Sequence, residues 1–274
     1  MPTSDVTHSA TSDRTRIAQL SLLLMCATIL VNVAWPIFMI YGQRLALTIA
    51  GVLTFGVASL LNAVSTQGIR FTIIMVFVVG IGSLLIEITG VHTGIPFGQY
   101  FYTEALGFDI YGVPIIIACA WLMMLYPCFI VGRMLSRNIW MSSSCTAWLM
   151  ATWDLYLDPQ MVNEQYWRWG SPDSQGSTNI PWTNFLGWFL AAFLLTFTMH
   201  LLLRGANTTA TATGTPSAVR YCTLALGWVW LGNFVANILW FAPYFNRPFV
   251  AVQGFVGMGV VLIPWLVRTD LRRT

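Results

Sequence analysis

The stretch that decides the fold runs from Ile69 to Tyr102, IRFTIIMVFVVGIGSLLIEITGVHTGIPFGQYFY. Between Arg70 and Glu87 it carries no charge, and Ile69 to Ile86 is long enough to cross a bilayer, which takes about 20 apolar residues. Glu87 therefore falls where lipid gives way to water, and the segment after it is built from glycine, proline, histidine and tyrosine. A carboxylate in that place needs a partner or a task.

The rest of the chain has the same character. Of its 274 residues, 57% are hydrophobic and 8% charged, whereas a soluble domain carries about a quarter charged. The implied fold class is all-α, a polytopic integral membrane protein with eight spans at 17–40, 45–64, 69–88, 113–132, 140–157, 182–203, 219–241 and 248–267. Ser142 to Ser144 and Thr146 dilute the fifth, which leaves seven spans as the other count. Residues 17–268 form one transmembrane domain, between a disordered polar tail at 1–16 and a short tail at 269–274. The low-complexity, turn-rich segment 205–217 is expected to be a flexible cytoplasmic loop. Gly254, Gly257 and Gly259 read as close helix packing in the last span.

Several functions are excluded at once. The chain has no lysine, so no retinal or pyridoxal Schiff base can form. Its five cysteines show no metal-ligand spacing, and a net charge of +3 spread over helix ends gives no nucleic-acid surface. His8, His92 and His200 lie too far apart for a membrane metal array, and Asp154 with Asp158 supplies too few ligands, with Pro159 expected to break their geometry. No metal is expected.

Arginine sets the orientation. With the N-terminus inside, Arg14, Arg16, Arg70, Arg133, Arg137, Arg204, Arg220, Arg268, Arg272 and Arg273 face the cytoplasm, against Arg44, Arg168 and Arg247 outside. Both termini are then cytoplasmic, in a plasma membrane. Glu87, Glu104, Asp109, Asp154, Asp158, Glu164 and Asp173 all fall in or beside the two long outer loops.

Counting about 1.5 Å per residue along each span, Asn32, Glu87, Asp154, Asn184, Asn233 and Asn237 reach a similar outer level on five helices. Interhelical asparagines serve as packing glue and a carboxylate at a span end can be an interfacial anchor. Convergence at one depth favours a functional site. Trp121, Trp153, Trp188 and Trp240, with Tyr100 and Tyr102, then offer an aromatic wall for a cation, while Trp167, Trp169 and Trp182 read as an interfacial belt. His92 reads as a loop residue orienting a neighbour, the helix ending near Gly90. There is also an internal echo. Glu87 stands 27 residues before Pro114 and 34 before Trp121, and Asp154 stands 27 before Pro181 and 34 before Trp188.

Three blocks carry a resemblance. They are Glu87-x-x-Gly90 with Gly94-Ile95-Pro96-Phe97-Gly98-x-Tyr100-x-Tyr102 and Gly112-Val113-Pro114; Trp153-Asp154-Leu155 with Asp158-Pro159-x-Met161; and Ile180-Pro181-x-x-Asn184-Phe185-x-Gly187-Trp188. In this order they resemble the carotenoid 1,2-hydratase family of polytopic membrane proteins, which includes the bisanhydrobacterioruberin and γ-carotene hydratases. The resemblance implies addition of water to the terminal isoprenoid double bond of an acyclic carotenoid, lycopene-like or longer and drawn from the bilayer, without a cofactor. It implies a carbon-oxygen lyase. Other carotenoid biosynthesis enzymes are conceivable partners.

Such a hydration needs a proton donor, a shielded tertiary cation and a positioned water with a base. A carboxyl withdrawn from water tends to keep its proton, which suits Glu87 to the donor's part and Asp154, beside Asp158, to the water, though the two roles can be exchanged. Trp121, Trp153 and Trp188 would face the cation, and Asn184, Asn237 and His92 would hold the water or a carboxylate. The polyene would stay in the bilayer and present its end laterally between helices. Two alternatives remain: a carotenoid cyclase or isomerase using the same acid, and a transporter or lipid-binding protein.

Overall fold

The computed structural model describes residues 4–38, 41–170, 179–204, 215–239 and 247–270. These residues form eight long helices. They are α1 Ser4–Ala34, α2 Tyr41–Gln67, α3 Ile69–Thr93, α4 Ile115–Leu135, α5 Ile139–Asn163, α6 Trp182–Leu203, α7 Pro216–Ile238 and α8 Pro248–Asp270. All except α5 are long and apolar enough to cross a membrane, so the chain is an all-α, multi-pass membrane protein. Two helices carry π-helical turns, Val76–Ile81 within α3 and Trp228–Gly232 within α7. Helix α1 begins at Ser4, so residues 4–16 are helical where a disordered tail is expected from their polarity. Most of segment 205–217 lies outside the described residues.

Helix α5 falls short in hydropathy for a physical reason. It packs against α4, α6 and α8, and Ser142, Ser143, Thr146, Thr152, Asp154 and Asp158 along it are buried. Protein solvates this helix, so its side chains need hydrogen-bond partners more than they need lipid compatibility. Thr146 Oγ1 donates to the Ser142 carbonyl at 2.9 Å, and His200 on α6 meets Ser142 Oγ at 3.0 Å. The glycines of α8 let it press onto α5. A Cβ on Gly254 would stand 2.3 Å from the Tyr156 ring, and one on Gly257 would stand 2.7 Å from Thr152. The freed space lets Trp148 Nε1 donate to the Gly257 carbonyl at 2.7 Å. Helix α5 also runs through Pro159 to Asn163; proline removes one backbone donor without ending the helix here, and Asp154 and Asp158 stay one turn apart on the same face.

The two long loops meet in a small ribbon. Strand β1, Tyr100–Tyr102, lies in the loop between α3 and α4, which also holds the short hairpin of β2, Asp109–Ile110, and β3, Val113–Pro114. Strand β4, Trp167–Trp169, follows α5 and pairs antiparallel with β1, with Tyr100 opposite Trp169, Phe101 opposite Arg168 and Tyr102 opposite Trp167.

This pairing turns the sequence echo into geometry. Glu87, Phe101, Pro114 and Trp121 have counterparts 67 positions later in Asp154, Arg168, Pro181 and Trp188. An antiparallel pair whose central residues are each other's counterparts is symmetric about an axis passing between them. Pro114 and Pro181 both precede a helix in extended conformation, and Trp121 stacks on Trp188 with centroids 4.3 Å apart and planes 8° from parallel. The units α3–β1–α4 and α5–β4–α6 are therefore related by a local two-fold, and since both run the same way through the bundle its axis lies along the helices, as in parallel membrane repeats.

Candidate active site

Alternation places the ribbon's aromatics. Side chains two apart on a strand share a face, so Tyr100, Tyr102, Trp167 and Trp169 all come from the same side of β1 and β4. Neighbouring rings lie 5.3 to 5.8 Å apart, Tyr100 against Trp169 and Tyr102 against Trp167. This aromatic floor faces three buried carboxyls.

Glu87 accepts three hydrogen bonds. Trp121 Nε1 donates to Oε1 at 2.9 Å, the Tyr102 hydroxyl donates to Oε2 at 2.9 Å, and the Tyr100 hydroxyl donates to the same oxygen. Tyr100 reaches Glu87 by crossing Gly90, where a Cβ would stand 2.7 Å from its hydroxyl; Phe97 is seated between Gly90 and Gly187. Burial first, and then the Glu87 carboxylate, hold both phenols above their ordinary range, so both remain donors. Asp158 also accepts from three groups: Trp167 Nε1 at 2.6 Å and Trp169 Nε1 at 3.3 Å on Oδ1, and Asn184 Nδ2 at 2.8 Å on Oδ2. Asp154 differs. Asn184 Nδ2 reaches its Oδ2 at 2.7 Å, and its buried Oδ1 has no partner.

The three carboxyls border a cavity of about 900 Å³ whose wall is otherwise chiefly apolar and aromatic. Trp121, Trp153, Trp188, Tyr100, Tyr102 and Asn184 line it as well, and Trp153 stands edge-on to Trp188 at 5.8 Å and 89°. Asn32 and Asn233 reach it, so five helices each contribute an acid or an amide.

Other expected site residues lie elsewhere. His92 is exposed and outside the cavity wall, because α3 continues past Gly90 to Thr93 and carries residue 92 to another face than Glu87. Asn237 is buried but spends its amide on the Asn233 carbonyl at 2.9 Å. Trp240 lies outside the described residues. Trp167 and Trp169, expected in an interfacial belt, instead line the cavity and hold Asp158. Their signal was the period-two Trp-x-Trp pattern, matched by Tyr-x-Tyr in the preceding loop. No comparable pattern announces the ion pair of Arg44 with Glu164 at 3.0 Å, which ties the start of α2 to the end of α5 beside the site.

A family described as carotenoid biosynthesis protein matches residues 43–245, which takes in both halves of the site. The chain is 31% identical over 113 residues to bisanhydrobacterioruberin hydratase of Haloarcula japonica, an alignment covering 39% of this chain and 37% of that protein. It thus spans little more than a third of that relative's length. No solved structure matches the chain.

Proposed function

This chain belongs to the carotenoid biosynthesis protein family, and we propose that it is a hydratase adding water across the terminal isoprenoid double bond of an acyclic carotenoid. The observation that carries this reading is the unequal bonding of three buried carboxyls around one apolar, indole-walled cavity.

An ionised carboxylate only accepts hydrogen bonds, with room for about four, and an indole N–H only donates. Glu87 and Asp158, each fed by three donors, suit fixed negative charges. Asp154, with one oxygen free of partners, suits the proton carrier. The roles entertained for Glu87 and Asp154 are thus exchanged: Asp154 delivers its proton to the less substituted carbon of the terminal alkene, whose π electrons form the new C–H bond. The positive charge settles on the tertiary carbon, facing the Trp121–Trp188 stack and the edge-on Trp153, where an indole face stabilises a cation by about 2 kcal/mol when water is excluded. The Glu87 charge adds to this through a medium of low dielectric. A water held by the remaining acceptor position of Glu87 donates its oxygen lone pair to the cation and its proton to that carboxylate. The proton returns to Asp154 through cavity water before the next turnover, leaving the alkene with one added water and the enzyme unchanged. Tyr100, Tyr102 and Asn184 act by positioning the carboxyls.

The test is expression in a host accumulating lycopene or a longer acyclic carotene, in oxygen-18 water, with mass analysis of the pigments. The expected product gains one water with heavy oxygen in a tertiary hydroxyl. An isomeric product of unchanged mass would mean that the same cation closes a ring or shifts a double bond, and no change would leave hydration without support. The exterior face proposed for the site, with both termini cytoplasmic in a plasma membrane, is tested by accessibility of cysteines placed in the two loops.

A further inference from the structure

We infer that the substrate enters and lies in a slot between α1 and α7, and that the π-helical turn of α7 shapes it. This inference rests on the hydratase reading for the identity of the occupant. The cavity extends well beyond the carboxyls. On α7 its wall includes Leu224, Gly227, Leu231 and Val235, spaced three or four apart and so on one helix face. On α1 it includes Ile29, Val33 and the adjoining Ile37, also one face. From Thr223 to Ala236 the lined stretch of α7 corresponds to about 20 Å of rise. The space is therefore elongated along the bundle.

This slot opens sideways. Val33 and Ile37 on one edge are 46% and 71% exposed, and Leu231 and Val235 on the other are 48% and 44% exposed. Residues that line a cavity and also stand on the outer surface mark its mouth, and these four are apolar, on segments long and apolar enough to cross the membrane. The occupant that matches a long apolar slot ending at buried carboxyls is a linear polyisoprenoid with its terminal alkene leading. Trp228 to Gly232 is the π-helical turn, and Trp228, Leu231 and Gly232 line the slot. Such turns occur often at functional sites because they re-aim side chains without breaking the helix. Gly227, immediately before it, leaves the slot open: a Cβ there would meet nothing within 4 Å.

The test uses the full chain purified from a carotene-accumulating host, reading both hydrated product and pigment bound per protein. Gly227→Trp and Val235→Trp, the second at an exposed position that a bulky side chain can occupy without refolding the core, are expected to lower both by about tenfold or more. Leu53→Trp, exposed on α2 and outside the slot, is expected to stay within about twofold of the parent. In an Asp154→Asn background, bound pigment is expected to persist and to be lost on adding Gly227→Trp. Monodisperse elution and an unchanged thermal midpoint establish folding, and Val235→Trp decides if Gly227→Trp misfolds. Folded variants that hydrate and bind at the parental level would overturn the slot while the hydratase reading stands. Absence of hydrated product, with pigment still lost in the variants, would overturn that reading and leave the slot. Extraction of phospholipid alone from the parent would overturn the assigned occupant.

Discussion

The two halves of the site start from the same plan and bond their carboxyls differently. In the first, Glu87 gathers both ribbon tyrosines and the indole of Trp121. In the second, the ribbon donors Trp167 and Trp169 go to Asp158, one turn beyond the counterpart Asp154, and Asn184 bridges the two acids. The positions matching Asp158 and Asn184 in the first half are Val91 and Ile117, both apolar. In the half that carries the extra acid and amide, one oxygen of Asp154 has no partner. A two-fold frame thus supplies paired carboxyls and stacked indoles, and a departure from the two-fold leaves the acids unequally bonded, which is the difference the proposed roles rest on.

The largest effect expected follows from that separation. Asp154→Asn removes the one buried carboxyl among the described residues that has an oxygen without a partner, and loss of a general acid lowers turnover by about 10²–10⁴-fold; the hydrated product, measured against protein level and membrane insertion, should fall to the detection limit with both of the latter unchanged. Glu87→Gln keeps the shape but loses the charge, and its amide nitrogen opposes a donor. About 10²-fold less product is expected, within the range for losing a preorganised electrostatic partner. Equal losses in the two variants would mean that the difference in bonding assigns no roles.

Much of this was readable from the residues. Charge-free runs marked the spans because a charged side chain is costly in hydrocarbon, and the 27- and 34-residue spacings pointed to the matched geometry of the two loops. Asp154, Glu87, Asn184 and the Trp121, Trp153, Trp188 set were placed by counting depth along helices. What counting cannot give is rotation about a helix axis. His92 and Asn237 lie at the right depth, one exposed and the other turned to its own backbone. The tryptophans of β4 read as an interfacial belt and not as partners of Asp158, since pairing of two distant loops depends on where the helices deliver them. Helix α5 gave the weakest hydropathy signal of the eight for the opposite reason, its polarity answering to neighbouring helices that no hydropathy window contains.

Asp158→Asn probes the half that carries the extra acid. Its three donors lose a charged acceptor, and hydrogen bonds to charged groups contribute about 1.5–3 kcal/mol each, so a fall of several degrees in the thermal midpoint is expected together with a loss of product of about tenfold, smaller than for Asp154→Asn. If product falls as far as in Asp154→Asn, the proton belongs to the pair and not to one member.

The smallest effects come from the ribbon, where the halves can be compared across the strand pair, Tyr102 lying opposite Trp167. Tyr102→Phe deletes one of three donors to Glu87, and Trp167→Phe deletes the shortest donor to Asp158. Both leave the aromatic floor in place, so each should cost about 1–3 kcal/mol of stability by denaturant unfolding in detergent. Their effects on turnover should differ. Glu87 keeps two donors after Tyr102→Phe, so product should drop only about threefold, in keeping with one hydrogen bond of modest net worth. Asp158 and Asp154 share the Asn184 amide as a hydrogen-bond donor, and a carboxylate short of donors competes harder for that amide, drawing it from Asp154 Oδ2. Trp167→Phe should therefore lower the rate further than Tyr102→Phe, and adding Asn184→Ala to it should lower the rate by less than Asn184→Ala does alone. Strict additivity of the two changes, which neighbours in one network seldom show, would mean that Asn184 does not relay between the acids and that the second half needs its extra carboxyl for packing only.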